Sequence, residues 1–208
     1  WSAGSVRPLR SGSKPRCKDR PSAFVTRRVT KLQNGPLPSS GTPRYSAQVI
    51  TETPHPSPAE RQALQSRVVQ ALSAVVPAHA LLWNAEDTTP YECDGLTAYR
   101  QRPLVVCLPE TYDEVQAVLR TCHQLQVPVV ARGAGTGLSG GAMPHAMGVT
   151  LSLAKFNRIL EVNPESRTAV VQCGVRNLAI SEAAAPYNLY YAPDPSSQIA
   201  CTIGGNVA

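Results

Sequence analysis

The chain has 208 residues, with 16% charged, 5% aromatic and 19 prolines, enough for one domain or two small ones. Its formal net charge of +6 is lopsided: residues 1–50 hold ten Lys and Arg against one acid, Asp19, while residues 51–208 hold ten against thirteen. The part able to fold is mildly acidic, which argues against a nucleic-acid partner gripped by its phosphates, and no apolar run approaches the roughly 20 residues of a membrane-spanning helix.

Residues 1–56 lack apolar periodicity and are dominated by Pro, Ser, Arg and Thr, so a disordered basic leader is expected there. It is Arg-rich and poor in acids, as transit peptides are, but has too much proline for an amphipathic helix. Because the chain opens on Trp1, upstream sequence wrongly joined to the gene is the favoured reading.

Order is expected from Ser57. The run Ser57-Pro58-Ala59-Glu60 is a capping box with proline at the first helical position. Leu64, Val68, Leu72 and Val75 then form one apolar stripe. Residues 80–83 are a short strand candidate, and residues 86–96 read as a loop. Residues 57–96 thus make an N-terminal helix and linker, ahead of a domain over residues 97–208.

The run LVVCL, residues 104–108, has the length and character of a buried strand. Thr111 and Glu114 make a second capping box, followed by a helix with Val115, Val118, Leu119, Cys122 and Leu125 inward and Pro128 as its stop. Another strand follows at residues 127–131, which predicts a parallel βαβ unit. Residues 149–153 are the next strand. Residues 159–162 and 167–172 flank the turn Asn163-Pro164-Glu165-Ser166 and predict a hairpin. Residues 177–185 are Ala-rich and read as a helix, and 189–192 are short and apolar.

Between two of these strands lies the densest feature of the chain: Gly133, Gly135, Gly137, Gly140 and Gly141, with only Ala, Thr, Leu and Ser between them. A Rossmann glycine loop must open a helix, whose N-terminus receives the diphosphate. Here the order is strand, glycine loop, strand. Such a loop can still hold a diphosphate, because inward-turned N–H groups form an anion nest and glycine permits the positive φ angles this needs. Arg132 at the loop's mouth would add charge. A helix over residues 143–148 would favour the Rossmann class; a strand beginning near Val149 would exclude it.

A second small-residue segment, residues 193–208 (PDPSSQIACTIGGNVA), reads as a loop that could press backbone groups against a flat polar ligand. The six cysteines form no C-x-x-C, and no His stands at ligand spacing from a pair, so neither a zinc site nor an iron–sulfur cluster is expected. Scattered cysteines suit a reducing compartment. His55, His79, His123 and His145 belong to no recognisable catalytic constellation.

Residues 103–122, 128–142 and 190–208 resemble the FAD-binding domain of the vanillyl-alcohol oxidase, or PCMH, superfamily. Within it, YECDGLTAYR (91–100), VRNLAIS (175–181) and APDPSSQIACTIGGNVA (192–208) are most similar to the FAD-linked subunits of bacterial glycolate oxidases. The resemblance implies an α+β fold, a PCMH-type FAD-binding domain, truncated at Ala208. It implies a diphosphate loop over Arg132, Gly133, Ala134, Gly135, Thr136, Gly137, Leu138 and Ser139, and a flavin edge over Pro193, Ser196, Ser197, Thr202, Gly204, Gly205 and Asn206. Members with a flavin-linked histidine carry it where Thr136 stands, so FAD is expected to be noncovalent.

The activity implied is oxidation of a small 2-hydroxy acid, glycolate to glyoxylate, with electrons passed to an iron–sulfur subunit among other glycolate oxidase subunits. D-lactate and D-2-hydroxyglutarate dehydrogenases share the pattern less closely, and an inactive gene fragment is the further alternative. The implied setting is the cytoplasm, with peripheral attachment at the inner membrane through partner subunits. Catalytic residues are expected beyond Ala208, and residues 57–208 alone are not expected to form a stable, FAD-saturated domain.

Overall fold

A computed structural model describes residues 56–193 and 195–208. Apart from Pro56, the expected leader lies outside the described residues. The first helix, α1 (Pro58–Leu72), starts where its sequence dictates: Ser57 Oγ accepts the Glu60 N–H at 3.2 Å, and the Glu60 carboxylate accepts the Ser57 N–H at 2.8 Å. A cap of this kind contributes about 1 kcal/mol.

After β1 (Leu81–Leu82), α2 (Ala85–Thr88) and β2 (Val105–Cys107) comes α3 (Tyr112–Leu125). Thr111 and Glu114 cap it as predicted. It ends before the expected stop at Pro128, because Gln126 adopts the left-handed conformation, φ 55°, and turns its N–H back to the last-turn carbonyls.

β3 (Val129–Arg132) and β4 (Val149–Ser152) complete a four-stranded sheet ordered β1-β2-β4-β3. Both β2 and β3 run parallel to β4, and β1 is antiparallel on the outer edge of β2. The predicted βαβ unit is present, with β4 inserted between its two strands. Val105 and Cys107 of β2 and Val149 and Leu151 of β4 pack with Val68, Leu72, Val118 and Cys122 of the two helices in one buried cluster. Alternation along the strands turns Val106 and Thr150 to the opposite face, where both are also fully buried. Each such aliphatic side chain contributes about 1.5–3 kcal/mol on burial.

The predicted hairpin is a separate two-stranded sheet, β5 (Ile159–Asn163) and β6 (Thr168–Val171). Its turn is held by Asn163 Oδ1, which accepts the Ser166 N–H at 3.0 Å. α4 (Asn177–Ala184) follows, with a single 3-10 turn at Ala185–Tyr187.

Two expectations are corrected. Residues 86–96, read as a loop, begin with α2 and a 3-10 turn at Thr89–Tyr91; one helical turn is too short to show a period. The stretch read as a Gly-Gly loop holds α5 (Ile203–Val207), with both glycines inside it.

The three parallel strands share their carboxyl ends, the edge at which open α/β sheets receive ligands. β3 delivers the chain there at Arg132. The return to the start of β4 has no helix over residues 143–148, and the Val149 N–H reaches the Pro128 carbonyl at 2.8 Å. This connection excludes the Rossmann class.

Candidate cofactor site

The glycine loop and the 193–208 segment meet. A Cβ on Gly133 would land on Thr202 Oγ1, so the glycine is what permits the contact. Arg176 and Thr202 form an antiparallel bridge, the Ile203 N–H reaches the Val175 carbonyl at 2.9 Å, and the Gly204 N–H reaches the Cys173 carbonyl at 2.8 Å. These bonds tie the start of α5 to the segment between β6 and α4, and the Gly133–Thr202 contact sets it beside the end of β3.

Between the two segments lies a cavity of about 520 Å³, within the usual range for a small-molecule site. Of the residues expected for the diphosphate, Gly133, Ala134, Gly135, Thr136, Gly137 and Ser139 line it. Of those expected for the flavin, Ser197, Thr202, Gly205 and Asn206 do. Arg132, Leu138, Pro193, Ser196 and Gly204 do not. Gly204 packs on Cys173 instead, where a Cβ would stand 2.8 Å from the Cys173 Cβ.

Arg132 does different work from that expected. It is 8% exposed; its guanidinium donates to the Cys93 carbonyl at 2.8 Å and to the Ala142 carbonyl at 3.4 Å, and lies 5.6 Å from the centroid of the Tyr91 ring. A Cβ on Gly135 would collide with it. The guanidinium therefore fills the inside of the loop's bend, and Gly135, at φ 72°, wraps over it. An arginine that sequence reasoning passed over, Arg176, borders an adjoining cavity of about 370 Å³ that shares Gly133, Ala134 and Thr202 with the first. Its position after a short apolar run carries no signal of that placement.

The donor set suits an FAD diphosphate. The N–H groups of Ala134, Gly135, Thr136, Gly137 and Ser139 have no acceptor among the described residues. Thr202, 8% exposed, has a hydroxyl with no partner among them. No charged side chain lines the cavity, so an anion would be met by neutral N–H and O–H groups, as in a backbone nest. The nest is smaller than the glycine count implied, because the Gly140 N–H is taken by Asp94 Oδ2 at 2.9 Å. Small residues on both walls leave room for a flat ring. Among the described residues no His, Cys, Asp and Glu cluster could hold a metal ion, and no helix is long and apolar enough to cross a membrane.

Comparison with known proteins agrees with this geometry. A family model described as an FAD binding domain matches residues 103–208. The chain is 62% identical over 144 residues to glycolate oxidase subunit GlcD of Escherichia coli strain K12, covering 69% of this chain and 29% of that protein. It is 37% identical over 140 residues to D-2-hydroxyglutarate dehydrogenase of Xanthomonas citri pv. viticola, covering 67% and 30%. Among solved structures, p-cresol methylhydroxylase superposes with a TM-score of 0.55 at 24% identity, over 62% of this chain and 26% of that one. The chain thus spans less than a third of the length of the curated relatives it matches. The match over residues 103–208 identifies the family: this chain belongs to the FAD binding domain family, with a fold shared with p-cresol methylhydroxylase.

Proposed function

We propose that the chain carries the diphosphate and flavin-edge part of an FAD-dependent 2-hydroxy-acid oxidoreductase that converts glycolate to glyoxylate and passes electrons to an iron–sulfur partner subunit. The observation that carries this reading is the cavity where the glycine loop meets the 197–206 segment, with unengaged N–H groups on one wall and small residues on the other. The 62% identity to a glycolate oxidase subunit supports the substrate.

FAD, when bound, takes up the hydride equivalent that the α-carbon of the hydroxy acid gives up. The residues of this chain bind and orient it. The N–H groups of residues 134–139 hold the diphosphate without a counter-cation. Ser197, Thr202 and Asn206 offer polar atoms to the edge of the ring, while Gly205 keeps its approach open. Thr136 stands in the loop where a ring-linked histidine would be needed, and a hydroxyl cannot make that bond, so the flavin is held noncovalently. The assembled enzyme would work in the cytoplasm, reaching the inner membrane through its partner subunits.

Two measurements on the full-length protein test the reading. Acid precipitation should release all the flavin into the supernatant as FAD; colour retained in the pellet would overturn noncovalent binding. Anaerobic addition of glycolate should bleach the bound flavin. Bleaching by D-2-hydroxyglutarate and not by glycolate would assign the substrate named for the Xanthomonas relative instead.

A further inference from the structure

We infer that Asp94, with Gly95, is the positioning residue that holds the glycine loop in its diphosphate-binding shape, an inference that rests on the FAD reading above. Asp94 lies outside the residues matched by the family model. It is 4% exposed, and both carboxylate oxygens are engaged: Oδ2 accepts the Gly140 N–H at 2.9 Å and Oδ1 accepts the Leu96 N–H at 2.9 Å. The next residue completes a clamp. The Gly95 N–H donates to the Gly137 carbonyl at 2.9 Å, and a Cβ on Gly95 would stand 2.7 Å from the Thr136 carbonyl oxygen. Just upstream, the Cys93 carbonyl receives the Arg132 guanidinium.

The physical need is plain. Its glycines, its small residues and the exposed Leu138 give the loop little packing of its own beyond Arg132, and ordering each residue costs about 1–2 kcal/mol of backbone entropy. If the ligand alone ordered the loop, that cost would be subtracted from its affinity. The 93–95 strap meets it beforehand by tying down Arg132, Gly137 and Gly140, at the start, middle and far end of the bend. Asp94 is absent from the cavity lining. Its charge is directed at backbone N–H groups behind the loop, and it organises an anion site without facing the anion.

The test is a fluorescence titration of deflavinated full-length protein with FAD, comparing wild type, Asp94→Asn, Gly95→Ala and Val118→Ala. Asparagine keeps the shape of Asp94 but sets an amide N–H₂ against one of the two N–H donors. Val118 is a core residue remote in role from the loop and serves as a control for general destabilisation. The expected result is a Kd raised about tenfold or more by Asp94→Asn, since one charge-assisted bond is worth that factor, and a rise of the same order by Gly95→Ala, whose methyl would press on the Thr136 carbonyl oxygen. Val118→Ala, despite a lower melting temperature, should leave Kd within about twofold of wild type. Wild-type affinity in both strap variants would overturn the inference, as would an equal loss in Val118→Ala. A wild-type protein that takes up no FAD would overturn the underlying cofactor reading instead. If Asp94→Asn does not fold, Gly95→Ala decides by the same criterion.

Discussion

Asn177 Oδ1 accepts a hydrogen bond from Asn206 Nδ2 at 3.1 Å, joining the first turn of α4 to α5 across 29 positions of sequence. Asn177 is fully buried, and its Nδ2 donates to the Pro193 carbonyl at 2.9 Å while its N–H reaches the Cys201 carbonyl at 3.0 Å. One side-chain amide thus pins both ends of the 193–206 segment against the body of the domain. Asn177→Ala should lower stability by about 2 kcal/mol, because it strands buried polar partners, which is a drop of roughly 4–8 °C in Tm for a unit of this size. It should also weaken FAD binding. A thermal melt unchanged from wild type would show that the segment is held by other contacts.

Gly133 and Thr202 should behave as a coupled pair. Gly133→Ala forces a methyl onto Thr202 Oγ1, so it should reduce FAD affinity by separating the two walls of the cavity. Truncating the obstacle in the double variant Gly133→Ala with Thr202→Ala should recover part of the loss, with an interaction energy of about 0.5–3 kcal/mol. Strictly additive losses in affinity would remove the claim that these residues meet.

The neighbouring glycines of α5 should separate fold from site. A Cβ on Gly204 would stand 2.9 Å from the Cys173 carbonyl oxygen, whereas a Cβ on Gly205 would meet nothing within 4 Å. Gly204→Ala is expected to destabilise the protein. Gly205→Ala should be neutral or stabilising by about 0.5–1 kcal/mol through helix propensity, yet should impair FAD binding, because Gly205 lines the cavity. Comparing Tm with Kd for the two variants checks this; the reverse pattern would contradict the placement of α5.

Much of this architecture was legible in the sequence, and its legibility followed the range of the interactions. Ser57 with Glu60 and Thr111 with Glu114 announce both long helices, because a capping box is complete within four residues. The strand–loop–strand order around the glycines argued against a Rossmann site, and the lack of a helix over residues 143–148 decides the matter. What stayed hidden depends on distant partners. Nothing near Arg132 indicates that its guanidinium turns inward to the Cys93 carbonyl, and nothing near Asp94 indicates that it meets Gly140, 46 positions on. Gly204 and Gly205 signal a loop locally; the bonds from Ile203 and Gly204 to Val175 and Cys173 make the segment helical instead.

The buried thiols make a prediction about alkaline pH. Burial, and then the neighbouring Cys122, pushes the Cys107 thiol up to about 12, and burial pushes Cys122 up to about 11. Both therefore remain protonated at pH 8 and should resist alkylation in the native protein. As pH rises past the unfolded value near 9 towards 11–12, the unfolded chain ionises first, so the stability these groups confer is present below about pH 9 and is lost above it. Mass spectrometry after a timed exposure to iodoacetamide checks the first point. Rapid native labelling of Cys107 would show that the sheet opens more readily than its packing implies.

The most direct test of the central claim is an experimental structure of the full-length protein with FAD bound. Both phosphate groups are expected within hydrogen-bonding distance of the N–H groups of residues 134–139, and the flavin edge against Ser197, Thr202 and Asn206. A diphosphate held elsewhere, with the glycine loop open to solvent, would contradict that claim.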